Sequence, residues 1–257
     1  MFTFTTTDAL HSLERFIERH GMARITEVDE ALTAIDAAAQ RAGVIMHNGQ
    51  ETHRLALALL DDDNPLDNPE VQRAVMAQAV GNTGVRPVVE AEVARRRELA
   101  VREHAPAVVA ALDGLVTKAA KDVARAHTLM PEVNLGDPKP VTTTEAGHIT
   151  AWAKARDGLD LIAEAGSVWA MLARTTHLAE VNDALLALTP ATYEDMLALP
   201  ERSLAGVANA GLPIKLATFE EYGERVDAHT EARDAKRREE EEKRFTHGRR
   251  NGFLGAA

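Results

Sequence analysis

Residues 105–130 read APAVVAALDGLVTKAAKDVARAHTLM, and this stretch decides the fold. Apolar side chains recur in it at alternating steps of three and four residues, which places them along one face of an α-helix. The members of this first seam are Val109, Leu112, Val116, Ala119, Val123, Ala126 and Met130. Three successive heptads predict a long helix that packs lengthwise against another helix, as in a coiled coil. Pro106 is expected to kink or interrupt this helix, because proline removes a backbone donor.

Residues 144–176 are predicted to form the partner helix. They carry the same spacing, and the members of this second seam are Trp152, Ala155, Leu159, Ile162, Gly166, Trp169, Ala173 and Thr176. The connecting residues 131–142 contain three prolines and one glycine, which is typical of a turn or an extended connection. Helices joined by a short connection pack side by side. We therefore predict an antiparallel hairpin in which the small side chains of the second seam receive the leucines and valines of the first.

Four shorter helices are predicted before this hairpin. The first is expected to be capped by Thr7 and to end at Gly21, and the second is expected to end at Gly43. The other two are predicted over residues 48–60 and 69–80. Connections this short leave consecutive helices side by side, so residues 1–84 are predicted to form an antiparallel helical unit.

The end of the chain is predicted to form a long, polar helix. It begins near Thr218 with the capping sequence TFEE, and between Asp227 and Arg244 its only apolar residues are alanines. The predicted fold is therefore an all-α, elongated helical bundle with a long antiparallel hairpin and a charged C-terminal helix. Its predicted domains are the N-terminal helical unit (1–84), the central hairpin with short helices (85–217), and the charged helix with a basic tail (218–257).

Composition and motifs exclude several kinds of chemistry. The absence of cysteine rules out disulfides, thiolate zinc sites, iron–sulfur clusters and cysteine nucleophiles. The ten histidines show no metal-ligand spacing, and the sequence GNTG at 81–84 lacks the lysine of a phosphate-binding loop. We therefore predict a protein that is not an enzyme, with no catalytic, cofactor-binding or metal-binding residues.

Charge and hydropathy argue against nucleic-acid and membrane partners. The formal charge is −11, which has the wrong sign for coating nucleic acid or an anionic membrane. No stretch approaches the ~18 apolar residues of a membrane span. The first residues, MFTFTTTDALHSLERF, lack a basic region followed by an apolar run, so no signal peptide is expected. The expected location is the cytoplasm or a virion.

The negative charge is distributed unevenly. Residues 1–217 contain 30 acids and 20 bases, whereas residues 243–257, here called the tail, contain four bases and no acid. We predict that the tail orders as it docks into a groove on a protein partner such as a larger shell or filament, with the charged helix as a spacer. The predicted partner-binding residues are Arg249, Arg250, Phe253 and Leu254. The simpler alternative is a solvated tail that binds nothing.

An acidic, cysteine-free helical body with a basic C-terminal docking element is similar in composition and layout to bacteriophage scaffolding and capsid-accessory proteins. The resemblance implies a structural or assembly protein that forms homo-oligomers and works through protein–protein contacts. Two alternatives of other classes remain open. One is a helical small-ligand binder or enzyme with a pocket formed by Trp152, Trp169, His148 and Arg156. The other is a helix-turn-helix regulator that uses the run Arg95–Arg97, which the acidity of the chain disfavours.

Overall fold

The computed structural model describes residues 5–46, 69, 71–72, 75, 85–137 and 146–252, and these residues contain helices and no strand. The predicted all-α class is confirmed. The α-helices in the described part of the chain are α1 (Thr6–His20), α2 (Thr26–Met46), α3 (Val85–Leu129), α4 (Ala146–Thr176), α5 (Tyr193–Ala198), α6 (Leu204–Asn209) and α7 (Phe219–Gly252). A 3-10 helix, Ala184–Ala187, lies between α4 and α5.

Helices α3 and α4 pack together as the predicted hairpin. All seven members of the first seam are buried, and so are all members of the second seam except Trp152, which is half-buried. The two backbones approach closely at Gly158, where an added Cβ would lie 3.3 Å from the carbonyl oxygen of Ala119 and 3.5 Å from Cγ2 of Val123. A small residue of α4 thus receives α3, as the seams predict.

Neighbours cover most of the C-terminal half of α4. Val168, Trp169 and Ala170 are consecutive residues and all are buried, although their side chains leave the helix about 100° apart. Burial of all three requires neighbours over more than half of the helix circumference, and the exposed residues Ser167 and Arg174 mark the remaining face. The sequence predicted one buried face here, whereas the structure makes this half of α4 a central helix with one narrow exposed face.

Helix α1 covers part of α4. Its side chains Ala9, Leu13 and Phe16 are buried. At its C-terminal end, Arg19 and His20 both bind the carboxylate of Glu164, with His20 Nε2 2.8 Å from Oε2. An apolar face and a pair of polar contacts therefore hold α1 in place.

The chain divides into two compact units. One combines Met1–Ala23 with Ala105–Ala257, and the other is Arg24–His104. The break between 104 and 105 lies within α3, just before Pro106. These breaks do not coincide with the predicted boundaries after residues 84 and 217, and the three-part division remains a prediction.

Two predicted helix ends need correction. Helix α1 is capped by Thr5, not Thr7, because the hydroxyl of Thr5 accepts from the amide of Asp8 (3.2 Å) while the Asp8 carboxylate accepts from the amide of Thr5 (2.8 Å). Its predicted end is confirmed, since Gly21 adopts φ 64°. Helix α2 continues through Gly43 to Met46. A mid-helix glycine costs only about 1 kcal/mol relative to alanine, so it does not have to end a helix.

Helix α3 is not interrupted at Pro106, so of the two expected effects, a kink or an interruption, only the kink stays a prediction. The proline is exposed, whereas Ala105, Val108 and Val109 around it are buried. Their burial stabilises the helix across the missing hydrogen bond, and water can solvate the exposed carbonyl one turn earlier. The predicted helix over 48–60 lies outside the described residues. Of the predicted helix over 69–80, the described residues are Pro69, Val71, Gln72 and Val75, and all four are helical.

Candidate protein-interaction site

The first turns of α7 are anchored in the core of its unit. The ring of Trp169 lies 5.4 Å from the ring of Phe219 and 4.9 Å from that of Tyr222. The indole Nε1 of Trp169 donates to the carbonyl oxygen of Ala217 (2.8 Å), just before the helix begins. The hydroxyl of Tyr222 accepts from the backbone amides of Asn182 (3.0 Å) and Asp183 (3.2 Å). Aromatic packing and hydrogen bonds therefore fix the direction in which α7 leaves the body.

Polar side chains extend this anchor along α7. Arg225 donates from Nη1 to the carbonyl oxygens of Leu186 (2.8 Å) and Lys215 (3.3 Å). Almost three turns into the helix, Nε2 of His229 donates to the carbonyl oxygen of Ala191 (2.8 Å). These bonds satisfy carbonyl groups in residues 186–215, where short helices alternate with irregular backbone.

The helix changes character after this anchor. Every residue from Ala235 to Lys243 is exposed. Ion pairs within the helix support this stretch. Arg237 pairs with Asp234 (4.0 Å) at three-residue spacing, and the pairs Arg237–Glu241 (4.0 Å) and Glu239–Lys243 are at four-residue spacing. A polar helix supported by such pairs is suited to cross solvent. We call residues 235–252 the distal part of α7.

The predicted docking residues lie at the far end of this helix. Arg249 and Arg250 are in the helical backbone of α7, which continues to Gly252. The side chains of these two arginines, and Phe253 and Leu254 entirely, lie outside the described part of the chain.

The two tryptophans of the alternative pocket lie far apart. Trp152 and Trp169 are 17 positions apart on α4, which separates them by about 25 Å along the helix axis. Trp169 is completely buried and its Nε1 is already bonded. Arg156 donates to the carbonyl oxygens of Leu135 (3.3 Å) and Gly136 (2.9 Å), so it holds the α3–α4 connection. Trp169 and Arg156 are therefore engaged in the core and the hairpin, and a ligand-binding or enzymatic role of this group stays a prediction.

The three arginines at 95–97, on which the helix-turn-helix alternative depends, form hydrogen bonds with carboxylates. Glu92 accepts from Nε of Arg95 (2.8 Å) and from Nε of Arg96 (2.9 Å), and these bonds, that of Arg95 foremost, lower the pKa of Glu92 to about 2. Arg97 donates to Oδ1 of Asp36 (2.5 Å). Each arginine therefore already has an acidic partner within its own unit.

Two of the grooves formed by described residues lie on the unit that carries α7. The first, which we call the arginine-rimmed groove, has a volume of about 460 Å³ and a mostly apolar floor between α4 and the 3-10 helix. Leu188 lies over Gly166 at its base, where an added Cβ would be 3.0 Å from the leucine methyls. Arg174 and Arg202 lie at its edges, and Arg202 pairs with Asp183.

The second groove, which we call the acidic groove, has a volume of about 390 Å³. One wall follows the end of α3 and the other comprises residues around α6. Its lining residues are Pro131, Glu132, Val133, Asn134, Pro200, Glu201, Gly206, Asn209 and Ala210. Neither groove can be predicted from the sequence, because each is formed by segments that are distant in the chain and carry no shared motif.

No metal or membrane site emerges from the described residues. They contain no group of three or more histidine, aspartate or glutamate side chains placed to hold a metal ion. No helix among them is both long and apolar enough to cross a membrane. The described geometry therefore offers the two grooves and the distal part of α7 as candidate interaction surfaces. In comparisons with protein-family profiles, with curated protein sequences and with solved structures, this chain gave no significant match.

Proposed function

We propose that this protein is a non-enzymatic assembly protein that works through protein–protein contacts, and that α7 carries its C-terminal tail to a partner. One observation carries the proposal: α7 is fixed to the core at Trp169 and Tyr222, yet it is fully exposed from Ala235 to Lys243. A helix with no apolar face that leaves a packed core is suited to hold a terminal element away from the body.

The length of α7 supports a spacer role. From His229, which still contacts the body, 23 residues of helix extend to Gly252. At 1.5 Å per residue this part is about 34 Å long. All four bases of the tail belong to the second half of this helical segment, whereas residues 1–217 carry ten more acids than bases.

More specifically, we propose a scaffold or capsid-accessory role of the bacteriophage type. In this role the protein forms homo-oligomers and lies in the cytoplasm or on a virion. The basis is the layout of an acidic helical body with a basic docking element. In such a role the tail binds a larger shell or filament, with Arg249, Arg250, Phe253 and Leu254 as the contacting residues.

A capture experiment tests the proposal. The full chain with an N-terminal tag is used to bind proteins from a lysate of the source cells, in parallel with a variant that lacks residues 245–257. We expect the deletion to abolish capture while the far-ultraviolet circular dichroism of the body persists. A variant with Lys236→Gln and Arg237→Gln removes two charges from exposed α7 outside the tail and is expected to retain capture. The proposal fails if the deletion variant captures the same proteins as the full chain.

A further inference from the structure

We propose that the tail of one copy docks into the acidic groove of a second copy, which links copies of the chain head to tail. This inference rests on the proposed function and names its protein partner as another molecule of the same chain. It is argued from the construction of the groove, its charge, and the distance over which α7 carries the tail.

The acidic groove is held in shape by internal bonds. The side chain of Asn209 donates from Nδ2 to Oδ1 of Asn134 (2.7 Å), and its Oδ1 accepts from the amide of Leu135 (2.8 Å). The turn before α6 is tight, because a Cβ at Gly206 would lie only 2.0 Å from the carbonyl oxygen of Glu201. Pro131 and Pro200 further restrict the two walls. A preformed groove needs little ordering when a ligand enters.

Within the described part of the chain, the carboxylates of the acidic groove have no basic partner. Glu132 and Glu201 are both exposed, and neither forms an ion pair within the described residues. The prolines and Val133 supply apolar surface beside these carboxylates. A ligand that combines cations with apolar side chains fits this arrangement, and the tail offers Arg249 and Arg250 followed by Phe253 and Leu254.

The arginine-rimmed groove is a poorer fit for the tail. Its lining includes Arg174 and Arg202 and no acidic side chain, and the carboxylate of Asp183, which precedes the lining residue Ala184, is already paired with Arg202. Like charges brought together at an interface oppose binding. Charge complementarity therefore selects the acidic groove over the larger one.

The far end of α7 is remote from the acidic groove of its own molecule. The groove lies close to the base of α7, since His229 bonds to Ala191, Ala191 packs in one cluster with Val207, and the neighbouring Gly206 lines the groove. Phe253 follows directly on a helix end that is about 34 Å beyond His229. While α7 remains helical, the groove of a second copy is accessible to the tail and its own groove is not.

Docking of this kind is heterologous, because the tail of one copy meets a different surface on the next. Such contacts produce a closed ring or an open filament, depending on the rotation between copies. Each copy keeps one free groove and one free tail until the ring closes, so the association is expected to extend beyond a dimer.

Sedimentation of the full-length chain tests the proposal. At low salt we expect the weight-average mass of the wild type to rise with concentration. A groove-reversed variant, Glu132→Lys with Glu201→Lys, and a tail-reversed variant, Arg249→Glu with Arg250→Glu, should each associate at least about tenfold more weakly. An equimolar mixture of the two variants should regain association, because each mutant surface then meets a complementary one.

A matched control separates this effect from net charge. Asp157→Lys with Glu180→Lys changes two exposed acids outside both grooves and the tail, and it should associate like the wild type. Thermal melting by circular dichroism checks that every variant is folded. A wild type that stays monomeric, or a mixture that fails to regain association, overturns the inference. If the tail is still required to capture another protein, the proposed function stands without it.

Cross-linking gives a second measurement, since the chain has no cysteine of its own. Leu254→Cys in one copy should form a disulfide with Ala210→Cys in another, because Ala210 lines the acidic groove. Ala163→Cys, placed in the arginine-rimmed groove, is the matched control and should cross-link far less. Equal cross-linking at the two positions contradicts docking in the acidic groove.

Discussion

The indole nitrogen of Trp169 donates a hydrogen bond to the carbonyl oxygen of Ala217, 2.8 Å away, although the two residues are 48 positions apart. Trp169 lies on the central helix α4, and Ala217 comes two residues before α7 begins. This bond therefore joins the core of the unit to the start of the helix that carries the tail. A substitution that removes this hydrogen bond therefore weakens the anchor of α7 as well as the core.

Trp169→Phe should lower the free energy of unfolding by about 1–3 kcal/mol. The substitution removes the donor and leaves the carbonyl of Ala217 without its partner in a buried site. Urea denaturation followed by circular dichroism measures the change. Trp152→Phe is the matched control and should have the smaller effect, because Trp152 is half-buried and its Nε1 has no hydrogen-bond partner in the described structure. Equal effects at the two positions would contradict this account.

Gly158→Ala should destabilise the hairpin, by about 1–3 kcal/mol. The new methyl group would lie 3.3 Å from the carbonyl oxygen of Ala119, and the backbone of a packed helix cannot easily move away. Gly114→Ala, within α3, should instead stabilise by about 0.5–1 kcal/mol, since nothing lies within 4 Å of its added Cβ and alanine favours the helix. Thermal melting of both variants checks the opposite signs, and a stabilising Gly158→Ala would argue against close α3–α4 packing.

Glu221→Gln should lower stability by about 0.5–1 kcal/mol at neutral pH. The Glu221 carboxylate accepts from Nζ of Lys215 (2.7 Å) and from the amide of Thr218 (3.0 Å), and these bonds, that of Lys215 first, lower its pKa below the usual range. A carboxyl whose pKa is lowered by folding contributes stability above its unfolded pKa, about 4.3, and this contribution is lost as the pH falls through the lower folded value.

The pH dependence provides the measurement. The difference in melting temperature between wild type and Glu221→Gln should be largest near pH 7 and should shrink below about pH 4. Glu220→Gln removes a neighbouring exposed carboxylate and should show a smaller difference at neutral pH. A difference in melting temperature that increases at low pH would contradict this prediction.

Glu240→Pro should break the distal part of α7 without destabilising the body. Proline in an exposed helix interior costs about 3 kcal/mol locally, so helicity should fall in the far-ultraviolet spectrum. Because Ala235–Lys243 are exposed, the free energy of unfolding reported by tryptophan fluorescence should change by less than about 0.5 kcal/mol. Glu240→Ala serves as the control that keeps the helix. Strong destabilisation of the body by the proline would mean that distal α7 packs against it.

The first seam shows how much of the fold the residue spacing predicts. Spacing alone places Val109, Leu112 and Val116 on one buried face, and all three are buried. That success has a local cause, since 3.6 residues per turn fixes which side chains share a face whatever lies opposite. At Pro106 the local penalty of proline predicts a kink or an interruption, and the burial of neighbouring residues prevents the interruption.

The candidate sites likewise combine features that the sequence predicts with features that only folding produces. The length and polarity of α7 and the basic character of the tail follow from the order of residues, because they require no knowledge of contacts. The acidic groove does not, since Asn134 and Asn209 are 75 positions apart and only folding brings their amides within 2.7 Å. Likewise, Trp152 and Trp169 share a stripe in the sequence, but the length of α4 keeps them apart.

The sequence alone determined that this protein is helical, where its two long seams lie, and that an acidic body ends in a basic tail, since helix periodicity and charge are properties of neighbouring residues. The neighbours that cover most of α4, the anchor of α7 at Trp169 and Tyr222, and the positions of the grooves come from the tertiary structure alone. The physical reason is that burial and groove shape depend on contacts between segments far apart in the chain, which no local pattern encodes.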